Sequence, residues 1–334
     1  MSGRKCTNRL SESPSGNRAG GCGACRLALL LALLTALLVT GCGGERTAPP
    51  REPTVATVVR EQRVGPRLLD LAVRSPALGA TAMVRLLTPE GWRAGTHRRW
   101  PVLYLLHGCC DTYQSWTRST RIEQLAQLER VLVVMPEGGA VGFYSNWAQE
   151  GGPAWETFQL GELRRILERG YGAGPDRAVA GLSMGGLGAI GYAARHPGMF
   201  HAAASFSGLL HPLGDPDFMT GLFADHTPDP DAIWGDPRRD RRVWAAHDPT
   251  ELAGRLQGTR LFVSSGDGRP GPLDAPDAPP DDIEPTVLRQ SQAFVRSLRA
   301  EQIPARVDFY GAGTHTWPYW ERELQRALPL LLAS

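Results

Sequence analysis

From about residue 67 onward, apolar residues fall into short unbroken runs separated by longer stretches of helical spacing. Residues 82–87 (AMVRLL), 102–106 (VLYLL) and 131–135 (VLVVM) are such runs. An apolar run without polar alternation suits a strand covered on both faces, as in a parallel sheet. Residues 155–169 have helical spacing. Residues 177–180 are a further strand candidate ending in a glycine-rich turn, and 202–206 and 260–264 continue the set. An amphipathic helix is predicted over 286–300, a last strand over 306–310 and a closing helix over 317–332. This order predicts an α/β fold with a mostly parallel central sheet and helices on both faces. Residues 211–250, rich in Pro, Asp and Trp, break the alternation. They predict a cap-like insertion over the site, with a passive surface excursion as the competing reading.

The N-terminal pattern differs. Residues 27–39 (LALLLALLTALLV) follow Arg26 and several other cations. The run is shorter than the ~20 residues that cross a bilayer, and it fits the core of a signal peptide. Residues 39–42 (VTGC) resemble the bacterial lipobox, which predicts lipidation of Cys42 and a membrane partner through that anchor. The expected organisation is a lipoprotein-type signal peptide over 1–41, a tether over 42–60 and one large domain over 61–334. The expected location is the outer face of the cell membrane, or secretion.

Charge and cysteine content narrow the chemistry. The chain has 334 residues and a formal charge of +2. Residues 1–41 hold five cations against Glu12, a net +4, so the remainder carries about −2. With no basic patch left to contact phosphates, nucleic acid is not an expected partner. Of six cysteines, four lie at or before residue 42, including the Cys22–Cys25 pair in the segment to be removed. Only Cys109 and Cys110 remain, too few for a disulfide framework. The acids of 274–284 lack the order of a calcium loop, and no metal or cofactor is expected.

Residues 181–185 (GLSMG) match G-x-S-x-G. The match gains weight from the strand before it and the small-residue helix after it, the context of the nucleophile elbow in the α/β-hydrolase fold. Ser183 is the candidate nucleophile. Its hydroxyl needs a base, and in this fold the base lies after the last strand, where His315 stands. The acid should follow the strand ending at residue 264 and hold the imidazole in one tautomer. Asp267, Asp274, Asp277, Asp281, Asp282 and Glu284 are all available, and fold logic favours Asp267, nearest the strand end. An acyl intermediate needs backbone donors for its oxyanion. These are assigned to the N–H groups of Met184 and Cys109, the latter in a turn where Gly108 lets the backbone approach.

Residues 103–108 (LYLLHG), 135–139 (MPEGG), 143–147 (FYSNW), 155–158 (WETF), 181–185 (GLSMG) and 314–320 (THTWPYW) together resemble the esterase D family. Within it they are most similar to the mycolyltransferases of the antigen 85 type. The resemblance implies a Ser–Glu–His triad whose acid opens the helix before the last strand, which makes Glu284 the first choice and Asp267 the alternative. It also implies Tyr113, Trp116, Trp147 and Trp317 as substrate-binding residues. The chain departs from that group at His107, where its members carry Asp, and at 149–152, where they carry a disulfide loop.

The function expected is an exported serine esterase that cleaves a small-molecule or lipid ester through an acyl-enzyme on Ser183. The alternatives are a cell-envelope acyltransferase with a sugar or glycerol acceptor, and a non-catalytic surface binding protein on the same fold.

Overall fold

The computed structural model describes residues 54–95 and 97–333. The predicted signal peptide, Cys42 and most of the tether lie outside the described residues.

Among the described residues, one sheet is built from β1 (Thr57–Arg63), β2 (Leu68–Ser75), β3 (Ala80–Leu87), β4 (Trp100–Leu106), β5 (Leu132–Pro136), β6 (Ala173–Leu182), β7 (Ala202–Phe206), β8 (Arg260–Ser265) and β9 (Ala305–Phe309). Their spatial order is β1-β2-β3-β5-β4-β6-β7-β8-β9. β1, β2 and β3 form an antiparallel meander, and β3 meets β5 antiparallel. From β5 across to β9 every pairing is parallel. The continuous apolar runs mark the parallel half. β1 carries no such run: its sequence, TVVREQR, is almost wholly exposed at the sheet edge. The tether therefore ends earlier than residue 60, since β1 begins at Thr57.

The helices are α1 (Ser115–Ser119), α2 (Arg164–Gly170), α3 (Met184–Arg195), α4 (Pro216–Ala224), α5 (Asp231–Trp234), α6 (Arg241–Ala246), α7 (Glu284–Ala300) and α8 (Trp317–Leu331). Successive strand residues point to opposite faces, so each central strand feeds two cores. Val102, Tyr104 and Leu106 of β4 join one core, together with Leu187 and Ile190 of α3 and Phe294 and Leu298 of α7. Leu103 and Leu105 join the other, together with Trp116 of α1 and Leu324 and Leu328 of α8. Each fully buried Leu or Val here contributes about 1.5–3 kcal/mol. The helix predicted over 155–169 winds as a wide π-helical stretch, Thr157–Leu163, before tightening into α2.

The insertion folds as α4, α5 and α6 around an aromatic cluster. Phe223, Trp234 and Trp244 pack on one another, and Phe223 and Trp234 also on Phe143, with Phe143 and Phe223 ring centroids 4.8 Å apart. Trp234 Nε1 donates to Ser145 Oγ at 3.0 Å, which pins the insertion to the loop after β5. This anchoring sets the outer face of α4 beside the carboxyl end of the sheet.

Candidate active site

β6 ends at Leu182 and α3 begins at Met184, so one residue reverses the chain. Ser183 does so with φ 52° and ψ −120°, a strained conformation for an L residue that costs about 1–3 kcal/mol. The flanking glycines make the bend possible. A Cβ on Gly181 would run into the backbone of Gly185, and one on Gly185 would lie 2.5 Å from the Leu106 carbonyl oxygen. The Ser183 N–H donates to the Phe206 carbonyl at 2.9 Å, and the Ser183 carbonyl accepts from Gly186 N–H at 2.9 Å. The backbone is thereby locked. The hydroxyl opens on a cavity and forms no hydrogen bond with a described residue.

His315 lies between β9 and α8 and lines the same cavity. Its Nδ1 is 2.6 Å from Glu284 Oε2, and the Trp320 ring stands edge-on to it at 4.9 Å. Glu284 is wholly buried. Its Oε1 accepts from Gly266 N–H at 2.7 Å, Ser207 Oγ at 2.7 Å and Ser265 Oγ at 3.0 Å. These donors offset the cost of burying the carboxyl. Asp267, the acid that fold logic favoured, faces away and pairs with Arg269, whose hydrogen bond lowers its pKa. Its place at the strand end is right, but its side chain is drawn to a neighbouring cation in a solvated loop. The structure thus brings Ser183 and His315 to one cavity, with Glu284 buried and bonded to His315, and leaves Asp267 out.

Three supports escaped the sequence reading. The sequence offers Asp281 only as an acid. Its Oδ1 accepts from the N–H groups of Ile283 and Glu284, and its Oδ2 from His315 N–H at 3.2 Å. It ties the backbones of Glu284 and His315 together from one side chain. Ser207 and Ser265 do carry a signal in the sequence, since each ends or directly follows a parallel strand, where α/β sheets place their ligands.

Gly108 sets the loop after β4 against the elbow. A Cβ there would meet Leu182 Cδ1 at 2.6 Å and Ser183 Cβ at 3.4 Å, so only glycine lets residues 107–110 lie against the elbow. The buried His107 accepts from Gly138 N–H through Nε2 at 2.9 Å, which leaves Nδ1 to donate to the Gly108 carbonyl at 2.8 Å. Cys110 N–H is spent on the Ala140 carbonyl at 2.9 Å. Met184 occupies the first position of α3, where an N–H has no partner within the helix. The Cys109 and Cys110 sulfurs are joined as a disulfide. The bond spans one peptide rather than stapling the fold.

The cavity has a volume of about 310 Å³. Its walls come from Leu182 and Leu209, from Phe218, Leu222 and His226 at and beyond α4, and from Ile283, Trp317 and Trp320. The insertion therefore does line the site. Of the four predicted substrate residues, Trp317 alone reaches this cavity. Trp116 is buried behind it, edge-on at 5.3 Å, with its Nε1 donating to the Leu106 carbonyl. The Tyr113 hydroxyl is taken by Asp70 and Gln114. Trp147 packs against the core beside the insertion's anchor. Each is held by core packing or by hydrogen bonds away from the opening.

Comparison with known proteins places the chain. The Esterase family is matched over residues 75–331. The chain belongs to that family. Diacylglycerol acyltransferase/mycolyltransferase Ag85B of Mycolicibacterium smegmatis is 32% identical over 293 residues, covering 82% of this chain and 87% of the relative. Among solved structures, MPT51 (FbpC1) of Mycobacterium tuberculosis superposes with a TM-score of 0.64 at 29% identity, over 78% of this chain and 96% of the other. The Staphylococcus aureus fluorophosphonate-binding serine hydrolase FphF shares the fold, with a TM-score of 0.62 at 21% identity over 80% of this chain and 98% of its own. This esterase-family chain is an enzyme of the esterase or acyltransferase type on a mixed α/β fold.

Proposed function

We propose that the protein is an exported serine esterase that works through an acyl-enzyme on Ser183. One observation carries this reading: the strained Ser183 lines the same apolar cavity as His315, which is bonded to the buried Glu284.

Ser183 Oγ attacks the ester carbonyl while His315 Nε2 takes its proton. The Nδ1–H, directed at Glu284 Oε2, holds the ring in the tautomer that leaves Nε2 free. The N–H groups of Met184 and Cys109 stabilise the oxyanion. Collapse expels the alcohol, which takes the proton from His315. Water repeats the sequence on the acyl-enzyme and frees the acid.

A cavity of about 310 Å³ is at the small end for ligand sites, which favours short or medium acyl chains. The exposed rim at Cys110 and His226 leaves water a route to the acyl-enzyme, which favours hydrolysis. A second reading, acyl transfer to a sugar or glycerol, is supported by the 32% identity to a protein described as an acyltransferase. A turnover assay on aryl esters of graded chain length, with and without glycerol or trehalose, separates the two. Free acid alone supports the esterase. A new ester that grows with acceptor concentration supports transfer. No turnover of any ester, with intact folding, sinks both and leaves a binding protein.

A further inference from the structure

At the rim of the cavity, three soft or borderline donors meet without serving the reaction. The Cys109 and Cys110 sulfurs and a ring nitrogen of His226 all lie within 4.8 Å of one another. Cys110 Sγ is 3.0 Å from His226 Nε2. The two elements that bring them together are 116 residues apart in sequence, the loop after β4 and the segment following α4. No other described side chain bonds the His226 ring. All three residues line the cavity that holds Ser183 and His315.

We propose that Cys109, Cys110 and His226 form a redox-gated site for one thiophilic divalent metal ion of the zinc or cadmium type. Two thiolates and one neutral imidazole are the donor set such ions take, and three protein ligands leave a fourth position open. Zn–S bonds of about 2.3 Å at tetrahedral angles set the two sulfurs about 3.8 Å apart, within the reach of this cluster. The structure holds the closed form, in which the sulfurs are bonded to each other and neither is a thiolate. A two-electron reductant opens it. With a phosphine, the phosphorus is oxidised to its oxide with the oxygen of one water, and the disulfide takes two electrons and two protons to become two thiols. The metal ion then displaces both thiol protons to the buffer and takes His226 through Nε2. The fourth position faces the cavity. Cys110 and His226 are exposed, so their side chains can turn without disturbing the core. Sequence spacing conceals the site, because neighbouring cysteines and a distant histidine match no metal motif.

The test uses the full chain with Cys6, Cys22, Cys25 and Cys42 replaced by Ser in every sample, so that only the proposed thiols respond. Cadmium ion is titrated into phosphine-reduced and untreated protein, and thiolate-to-metal charge transfer is followed in the ultraviolet. The reduced protein is expected to bind one equivalent, displaceable by zinc, and the untreated protein none. His226→Ala is expected to weaken binding at least tenfold while keeping the charge-transfer band. Cys110→Ser is expected to abolish the two-thiolate band. Far-ultraviolet circular dichroism checks the fold of both variants, and the exposed His226 change serves if the cysteine variant fails to fold. No band in the reduced protein overturns the proposal. So does equal binding with and without His226, or equal binding before and after reduction.

Discussion

At Ser183 the backbone strain and the chemistry are one feature. A positive φ between two glycines lifts the hydroxyl out of the sheet edge, where it has no described partner to compete with a base. Ser183→Ala is expected to abolish covalent labelling by a fluorophosphonate probe; labelling that persists would place the nucleophile elsewhere. Glu284 sits under four donors with no solvent access. Glu284→Gln keeps the shape but turns an amide N–H donor toward Nδ1, which selects the wrong tautomer, and is expected to lower kcat by up to ~10⁴-fold. Asp267→Asn, at a carboxylate paired with an exposed Arg269, is expected to change kcat by less than about threefold, in line with the small worth of surface ion pairs. Steady-state kinetics on one aryl ester measure both, and a larger loss at Asp267 would reverse the assignment.

The element that separates this site from a bare sheet edge is the insertion. α4 brings Phe218 and Leu222 to the cavity wall. Leu222→Trp fills space where an acyl chain would run. It is expected to reduce kcat/KM for octanoyl esters at least about tenfold while acetyl esters change little, since a methylene or two in an apolar pocket is worth that much. The insertion is also its weak point in acid. Burial holds the pKa of His247, stacked on Trp234 at 5.3 Å, down to about 3. An unfolded histidine protonates near pH 6.5. Between those values the unfolded chain binds a proton that the folded chain does not, so stability falls as pH drops, by up to about 1.4 kcal/mol per pH unit. Thermal melts from pH 7 to 4 should show this loss, and His247→Gln should flatten that limb; an unchanged slope would remove His247 from the account.

For the whole molecule, we propose a lipid anchor at Cys42. Cys42→Ser is expected to move the protein from the membrane fraction to the soluble fraction outside the cell, with ester turnover per molecule unchanged. Retention in the membrane would mean that the apolar run at 27–39 is itself the anchor. Within the domain, the parallel half of the sheet carries the whole constellation. Ser183 follows β6, Ser207 follows β7, Ser265 ends β8 and His315 follows β9. Every contributor therefore emerges at one edge, where parallel strands place their carboxyl ends.

Local pattern determined much of this. Buried strands announce themselves as unbroken apolar runs because both faces are covered, and the elbow as G-x-S-x-G because only glycine survives at 2.5 Å from a carbonyl oxygen. The late histidine follows from chain order. β1 left no such trace, since an edge strand exposed on both sides has no reason to be apolar. Tertiary structure alone decided which acid faces His315, because Asp267 and Glu284 differ in neighbours rather than in type. It also decided that Trp116 belongs to the core and Phe218 to the cavity, and that Cys110 meets His226. Burial, pairing and approach across more than a hundred residues are properties of the folded chain, and a one-dimensional pattern holds no record of them.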